Sequence, residues 1–194
     1  MRKLTILSAL TFLLFSCEKS HDQNQTSRSE GSITYPTSGA GSTQCGDPTV
    51  VALMAGQNDN VGEIGVWNDG ENIYVSYQPV GAYRLKKTHL FVGDCSAIPT
   101  NGAGNPRIGA FPNTVNHGNT GINAYTYIIP LAGMTPGTTV CVAAHAEVVA
   151  FDANGNQYYS QTGWGNGPQI NDGGSWAMKF EYTIQACSDG SVVR

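Results

Sequence analysis

The sequence predicts an all-β domain, an antiparallel β-sandwich of about eight strands with two disulfides. Three observations lead there. Between Cys45 and Cys187 apolar residues recur at period two, and no stretch carries the 3.6-residue period of an amphipathic helix. Glycine makes up 24 of the 194 residues and falls mainly between the alternating stretches, where turns are needed. Four cysteines lie in the same span without a C-x-x-C spacing, which fits two bridges in an oxidising compartment better than a zinc cluster.

Charged residues are 12% of the chain, about half the usual share, yet three Trp, nine Tyr and six Phe argue against disorder. Glycine follows no G-X-Y period, so the chain is not collagenous. Ten basic against fourteen acidic residues give a net charge of -4, which speaks against a nucleic-acid partner.

The elements follow in chain order. Met1-Arg2-Lys3 is a short positive region, and Leu4 to Phe15 is an apolar run interrupted at Thr5, Ser8 and Thr11. That run is shorter than the roughly 20 residues of a membrane-spanning helix and reads as a signal peptide over residues 1–16. Leu14-Phe15-Ser16-Cys17 then resembles the lipobox of bacterial lipoproteins, in a style similar to those of the Bacteroidota. The resemblance implies cleavage before Cys17, lipidation of its thiol and acylation of its amine (palmitate-type chains), and attachment to the cell envelope at the outer membrane. Acyl chains worth about 0.8 kcal/mol per buried methylene make such an anchor lasting. The periplasmic and surface faces both stay open, because Cys17-Glu18-Lys19-Ser20 shows no clear acidic run.

Residues 17–44 are the lipidated Cys and a polar tether, whose 26 unpatterned residues from Glu18 to Thr43 span roughly 25–30 Å as a flexible chain. Residues 45–187 are the β-sandwich domain, and 188–194 a C-terminal tail.

Within the domain, Val61–Trp67 and Glu71–Gln78 form a hairpin through Asn68-Asp69-Gly70. Arg84 to Val92 is a strand with Leu90 and Val92 inward and Lys87, His89 and Phe91 on its second face. Val140 to Val149 places Val140, Val142, Ala144, Ala146 and Val148 on one face and Cys141, Ala143, His145, Glu147 and Val149 on the other. Asn154-Gly155 leads from it to a strand over Gln157–Thr162. Trp176–Ile184 reads as one half-buried strand, with Trp176, Met178, Phe180, Tyr182 and Ile184 on a common face. Ser96 to Gly121 is long and unpatterned, as functional loops often are, and Gly163-Trp164-Gly165-Asn166-Gly167-Pro168 reads as a second loop. Cys45 and Cys187 sit at the two ends and would staple the first and last strands, leaving Cys95 for Cys141. The pairings Cys45–Cys95 with Cys141–Cys187 and Cys45–Cys141 with Cys95–Cys187 stay open.

The nucleophile elbow, the H-E-x-x-H helix and the phosphate loop are absent, and no free thiol is expected. Three groups are candidates. If Cys95 bonds Cys141, parity brings His89, His145 and Glu147 to one sheet face, a ligand set for zinc or another divalent ion. The plainer role of the two histidines is to hydrogen-bond to neighbouring groups. Asn58, Asp59, Asn60, Glu63, Asp69 and Glu71, with Asp152-x-Asn154-x-Asn156, offer oxygens for structural calcium or serve as solvated turn residues. Trp164, Asn166 and Tyr158 suit stacking and hydrogen bonding to a sugar, with Tyr83 and Tyr159 nearby, unless Trp164 folds back to cap the core.

The phrases Ala55-Gly56-Gln57 before Val61-Gly62, Thr88-His89-Leu90-Phe91-Val92, Gly104-Asn105-Pro106 with Phe111-Pro112, Ala143-Ala144-His145-Ala146, and Trp164-Gly165-Asn166-Gly167 with Trp176-Ala177-Met178-Lys179-Phe180 resemble an uncharacterised family of secreted bacterial β-sandwich proteins. That resemblance implies no activity. The expectation is a lipid-anchored extracytoplasmic module that binds a glycan or other surface polymer. The alternatives are a metal-dependent hydrolase using His89, His145 and Glu147, and a structural envelope or adhesion protein.

Overall fold

The computed structural model describes residues 44–187; the signal peptide, Cys17, the tether and the 188–194 tail lie outside the described residues. Nine strands follow one another: β1 (Cys45–Ala55), β2 (Asp59–Asn68), β3 (Asn72–Pro79), β4 (Tyr83–Gly93), β5 (Asn113–Asn116), β6 (Tyr125–Pro130), β7 (Thr139–Phe151), β8 (Gln157–Gly165) and β9 (Phe180–Thr183). Short 3-10 turns lie at Cys95–Ala97 and Ile108–Ala110. The fold is all-β with antiparallel pairings, as the alternation predicts.

The two layers are hydrogen-bonded into one curled sheet of order β5-β4-β7-β8-β1-β2-β3-β6, with β9 beside β7. The curl nearly closes into a barrel. A Leu85–Ile122 bridge and the Tyr127 hydroxyl, which donates to the Thr88 carbonyl at 3.1 Å, tie the β6 end back to β4. The long strand β7 organises the sheet. One of its edges pairs with β4, while the other is shared between β9 (Thr139–Val142) and β8 (His145–Phe151). At Gly163–Gly165 the other edge of β8 pairs with β1 at Leu53–Ala55, while Gly163 and Trp164 still pair with β7.

Alternation makes the inner core. Val140, Val142, Ala144, Ala146 and Val148 of β7 pack there with Leu85 and Leu90 of β4 and with Ile64, Val66, Ile73 and Val75 of the β2–β3 hairpin. Asn68 is buried at the edge of this core with its amide satisfied. Its Oδ1 accepts from the Tyr182 hydroxyl and from the Gln185 N–H, and its Nδ2 donates to the Gln185 carbonyl. This clamp sits beside the Cys45–Cys187 bridge. The second bridge is Cys95–Cys141, so the terminal staple is the connectivity. Closing a loop of 142 residues contributes about 4–5 kcal/mol in the chain-entropy account.

Three elements differ from expectation. The Gly163–Pro168 stretch is not all loop, because β8 continues to Gly165. Its glycines are close-approach positions. A Cβ at Gly163 would stand 3.3 Å from Leu53 Cδ1, one at Gly165 2.8 Å from Phe180 Cε1, and one at Gly167 2.1 Å from the Lys179 carbonyl oxygen. The Trp176–Ile184 strand divides. Phe180, Tyr182 and Ile184 belong to the inner core, whereas Trp176 and Met178 pack outside it, because Met178 bridges to Gln169 before the chain reaches the β7 edge. The Ser96–Gly121 stretch contains β5, which pairs with Lys87–Leu90. Among the described residues no helix is long and apolar enough to cross a membrane.

Candidate functional site

The outer face of β4, β7 and β8 carries a second buried cluster. Cys141 and Ala143 of β7, Phe91 of β4 and Trp164 of β8 point away from the inner core, yet all are buried. Two loops cover them, with Ile98 and Phe111 from one and Ala177 from the other, and Trp176 and Met178 packed alongside. The Cys95–Cys141 bridge pins the first loop to β7. The loops are latched to each other by Asn105 and Asn171: the Asn105 Oδ1 accepts from Asn171 Nδ2 at 3.2 Å and from the Ser175 N–H at 2.8 Å, and Asn171 Nδ2 donates to the Ala103 carbonyl at 2.9 Å.

Where this cover stops, the same face becomes polar. A cavity of about 590 Å³ opens there, lined by Lys87, His89, His145, Glu147, Ser160, Gln161, Thr162 and the Ile108–Gly109 edge of the roof loop. A second hollow of about 250 Å³ shares Ile108 and Thr162 with it and is otherwise bordered by Trp164, Trp176, Asn105 and Ser175 among others. A third, of about 210 Å³, shares Trp176 and is lined by Met54, Gln57, Asn166, Gln169 and Met178.

The histidines meet as parity predicts. His89 and His145 are direct cross-strand partners, and their Nδ1 atoms are 3.0 Å apart. The ring centroids are 5.0 Å apart, only 2.0 Å more than the two nitrogens, close to two ring radii, so the imidazoles point at each other along the bond. One ring donates from Nδ1 and the other accepts, so the two are opposite tautomers. Burial, reinforced by His89 and Lys87, lowers His145 to about 3 from 6.5. Burial also lowers His89, with Lys87 adding to the effect and Glu147 opposing it. The pair is neutral at pH 7.

Here the two Nδ1 atoms are each other's hydrogen-bond partners. Two imidazoles on one zinc ion, each about 2.0–2.1 Å from it in tetrahedral geometry, hold their nitrogens about 3.3 Å apart. Glu147 lines the same cavity without completing a trio: among the described residues the only three such groups whose ligand atoms lie within 4.8 Å of one another are Cys95, Cys141 and Glu181, and those cysteines are bonded to each other.

The oxygen-rich turns hold themselves. Asp69 Oδ1 accepts from the Glu71 and Asn72 N–H groups and its Oδ2 from the Tyr74 hydroxyl, and its carboxyl is lowered despite burial, which opposes the shift, by these bonds. Asn60 accepts from the Gly62 N–H, Asp59 from the Tyr159 hydroxyl, and Asp152 from the Asn154 and Asn156 N–H groups. Glu63 and Glu71 belong to no close group of three His, Cys, Asp or Glu side chains among the described residues.

Of the three sugar-binding candidates, Trp164 is corrected. It is 2% exposed and stands edge-on to Phe111 and His145, with centroids 6.3 and 4.9 Å away, so it caps a core, the outer one, and offers only a border to the second hollow. The cause is its parity with His145 in a strand, where a loop was expected. Asn166 is exposed and lines the third hollow. Tyr158 is 62% exposed at the bulge where the register skips from Tyr159 to Gln157, outside all three hollows. Sequence reasoning missed Ser160, Thr162, Ile108 and Trp176. A signal was present: Ser160, Thr162, Trp164 and Asn166 alternate, and Gly163 and Gly165 between the last three keep the period intact.

No family model, curated protein or solved structure matches this chain.

Proposed function

We propose that this protein is a lipid-anchored binding module of the bacterial cell envelope, held by Cys17, whose outer β4-β7-β8 face takes a carbohydrate. The observation that carries the reading is the hollow-lined face itself. Hydroxyl, amide and neutral imidazole groups stand on a rigid sheet next to a half-buried Trp176, the combination that orients sugar hydroxyls and covers an apolar ring face. The two latched loops hold the site in shape before binding, which reduces the ordering cost.

A glycan array and insoluble polysaccharide pull-down with the full chain test this reading, with Trp176→Ala as the variant. Binding by the wild type and its loss in the folded variant support it; no binding to any glycan contradicts it. The anchor is tested separately: Cys17→Ala should abolish incorporation of labelled palmitate and release the protein from membranes, and unchanged labelling would overturn it.

A further inference from the structure

We infer that the ligand is a linear, uncharged polysaccharide chain lying lengthwise along β8, with one sugar unit in each of three successive hollows. This rests on the carbohydrate reading and specifies its substrate class.

The hollows are arranged in sequence along one strand. Ser160 and Thr162 line the first, Thr162 and Trp164 the second, and Asn166 the third. Neighbouring hollows share walls: Ile108 borders the first two, and Trp176 the last two. Six residue steps of about 3.3 Å give a track of about 20 Å, which suits a chain and not a single ring. The glycines explain why the track can exist. Gly163 and Gly165 take the inward positions where β8 presses on Leu53 and Phe180, so from Thr162 to Asn166 the outward positions alone carry side chains.

Charge selects the kind of chain. The first hollow holds one cation and one anion, Lys87 and Glu147, which are direct cross-strand partners. No charged side chain lines the second or third. The track is therefore neutral along its length, and a uronic-acid polymer would meet one ammonium at one end and nothing thereafter. The two ends also differ: imidazoles and hydroxyls at Ser160, methionines and amides around Asn166. A chain is bound in one direction.

The test is calorimetric titration of the full chain with β-1,4-linked gluco- and manno-oligosaccharides, from monosaccharide to hexasaccharide, and with oligogalacturonates of matching length. Affinity should climb by about tenfold for each unit up to the trisaccharide, as one stacked and hydrogen-bonded ring adds, and then flatten. The double variant Asn166→Ala, Gln169→Ala should erase the gain from the third unit and leave the disaccharide unchanged. The inference falls, with the carbohydrate reading intact, if a monosaccharide binds as tightly as the trisaccharide, if the double variant changes no length, or if oligogalacturonates bind more tightly than neutral chains. Binding by no member of either series overturns both.

Discussion

The inner and outer cores of this domain are built from the two faces of the same strand, β7, and they differ in how they are closed. The inner core is sealed by other strands, and its contributors from β7 are five small or β-branched residues at even positions. The outer core is sealed by loops, and beyond Ala143 its face changes to His145 and Glu147 at a polar cavity. Strands fill one side completely because period two repeats on every neighbour. Loops cover the other side as far as their cross-links reach, and the uncovered remainder is where a ligand fits.

The sharpest way to break that comparison is to truncate one side chain on each face. Trp164→Ala should cost about 3–5 kcal/mol and Leu90→Ala about 2–5 kcal/mol in denaturant unfolding, yet differ in function. Leu90→Ala should leave glycan binding of the folded protein unchanged, because Leu90 touches the inner core alone. Trp164→Ala should lose it, because Phe111 and the His145 ring rest on that indole. Equal binding by the two would mean the outer core is only packing.

A smaller effect comes from pH. Folded His145 stays neutral down to about 3, whereas in the unfolded chain it takes up a proton below its ordinary 6.5. Between those values the unfolded state binds more protons, so stability is complete above pH 6.5 and falls as the medium is acidified, by a few kcal/mol at most. Equilibrium unfolding from pH 7.5 to pH 4 should show this acid limb, and His145→Gln should flatten it. A wild-type stability that rises on acidification would mean the pair is charged and not hydrogen-bonded as described.

The smallest shift belongs to the inner face. Asn68→Ala leaves the buried Tyr182 hydroxyl without its acceptor and should cost about 1–3 kcal/mol, with binding unchanged. Retained stability would show that the clamp beside the Cys45–Cys187 bridge is redundant.

Much of the inner core was legible from the amino-acid sequence. The Val140–Val149 alternation assigned both faces of β7, Asn68-Asp69-Gly70 located the β2–β3 hairpin, and the end positions of Cys45 and Cys187 favoured the staple. β1 was not legible, because Pro48 and a bulge at Cys45–Thr49 blur its period. The outer site was half legible. Parity along β4 and β7 found His89, His145 and Glu147, since side-chain direction in a strand is local information. Ile108 and Trp176 were not found, because a loop's position over a sheet is set by distant contacts, here the Asn105–Asn171 latch and the Cys95–Cys141 bridge. The Gly163–Gly165 end of β8 read as loop for a related reason: glycines that admit Leu53 and Phe180 look, in sequence, like glycines that make a loop.

The central claim is that carbohydrate lies on the outer face along β8. Amide chemical-shift mapping of the full chain during titration with a neutral β-1,4-linked trisaccharide tests it most directly. The account predicts shifts at Ser160, Thr162, Asn166 and the Trp176 indole N–H. Shifts confined to residues outside the three hollows, such as the exposed Val50 and Ile128, would contradict it.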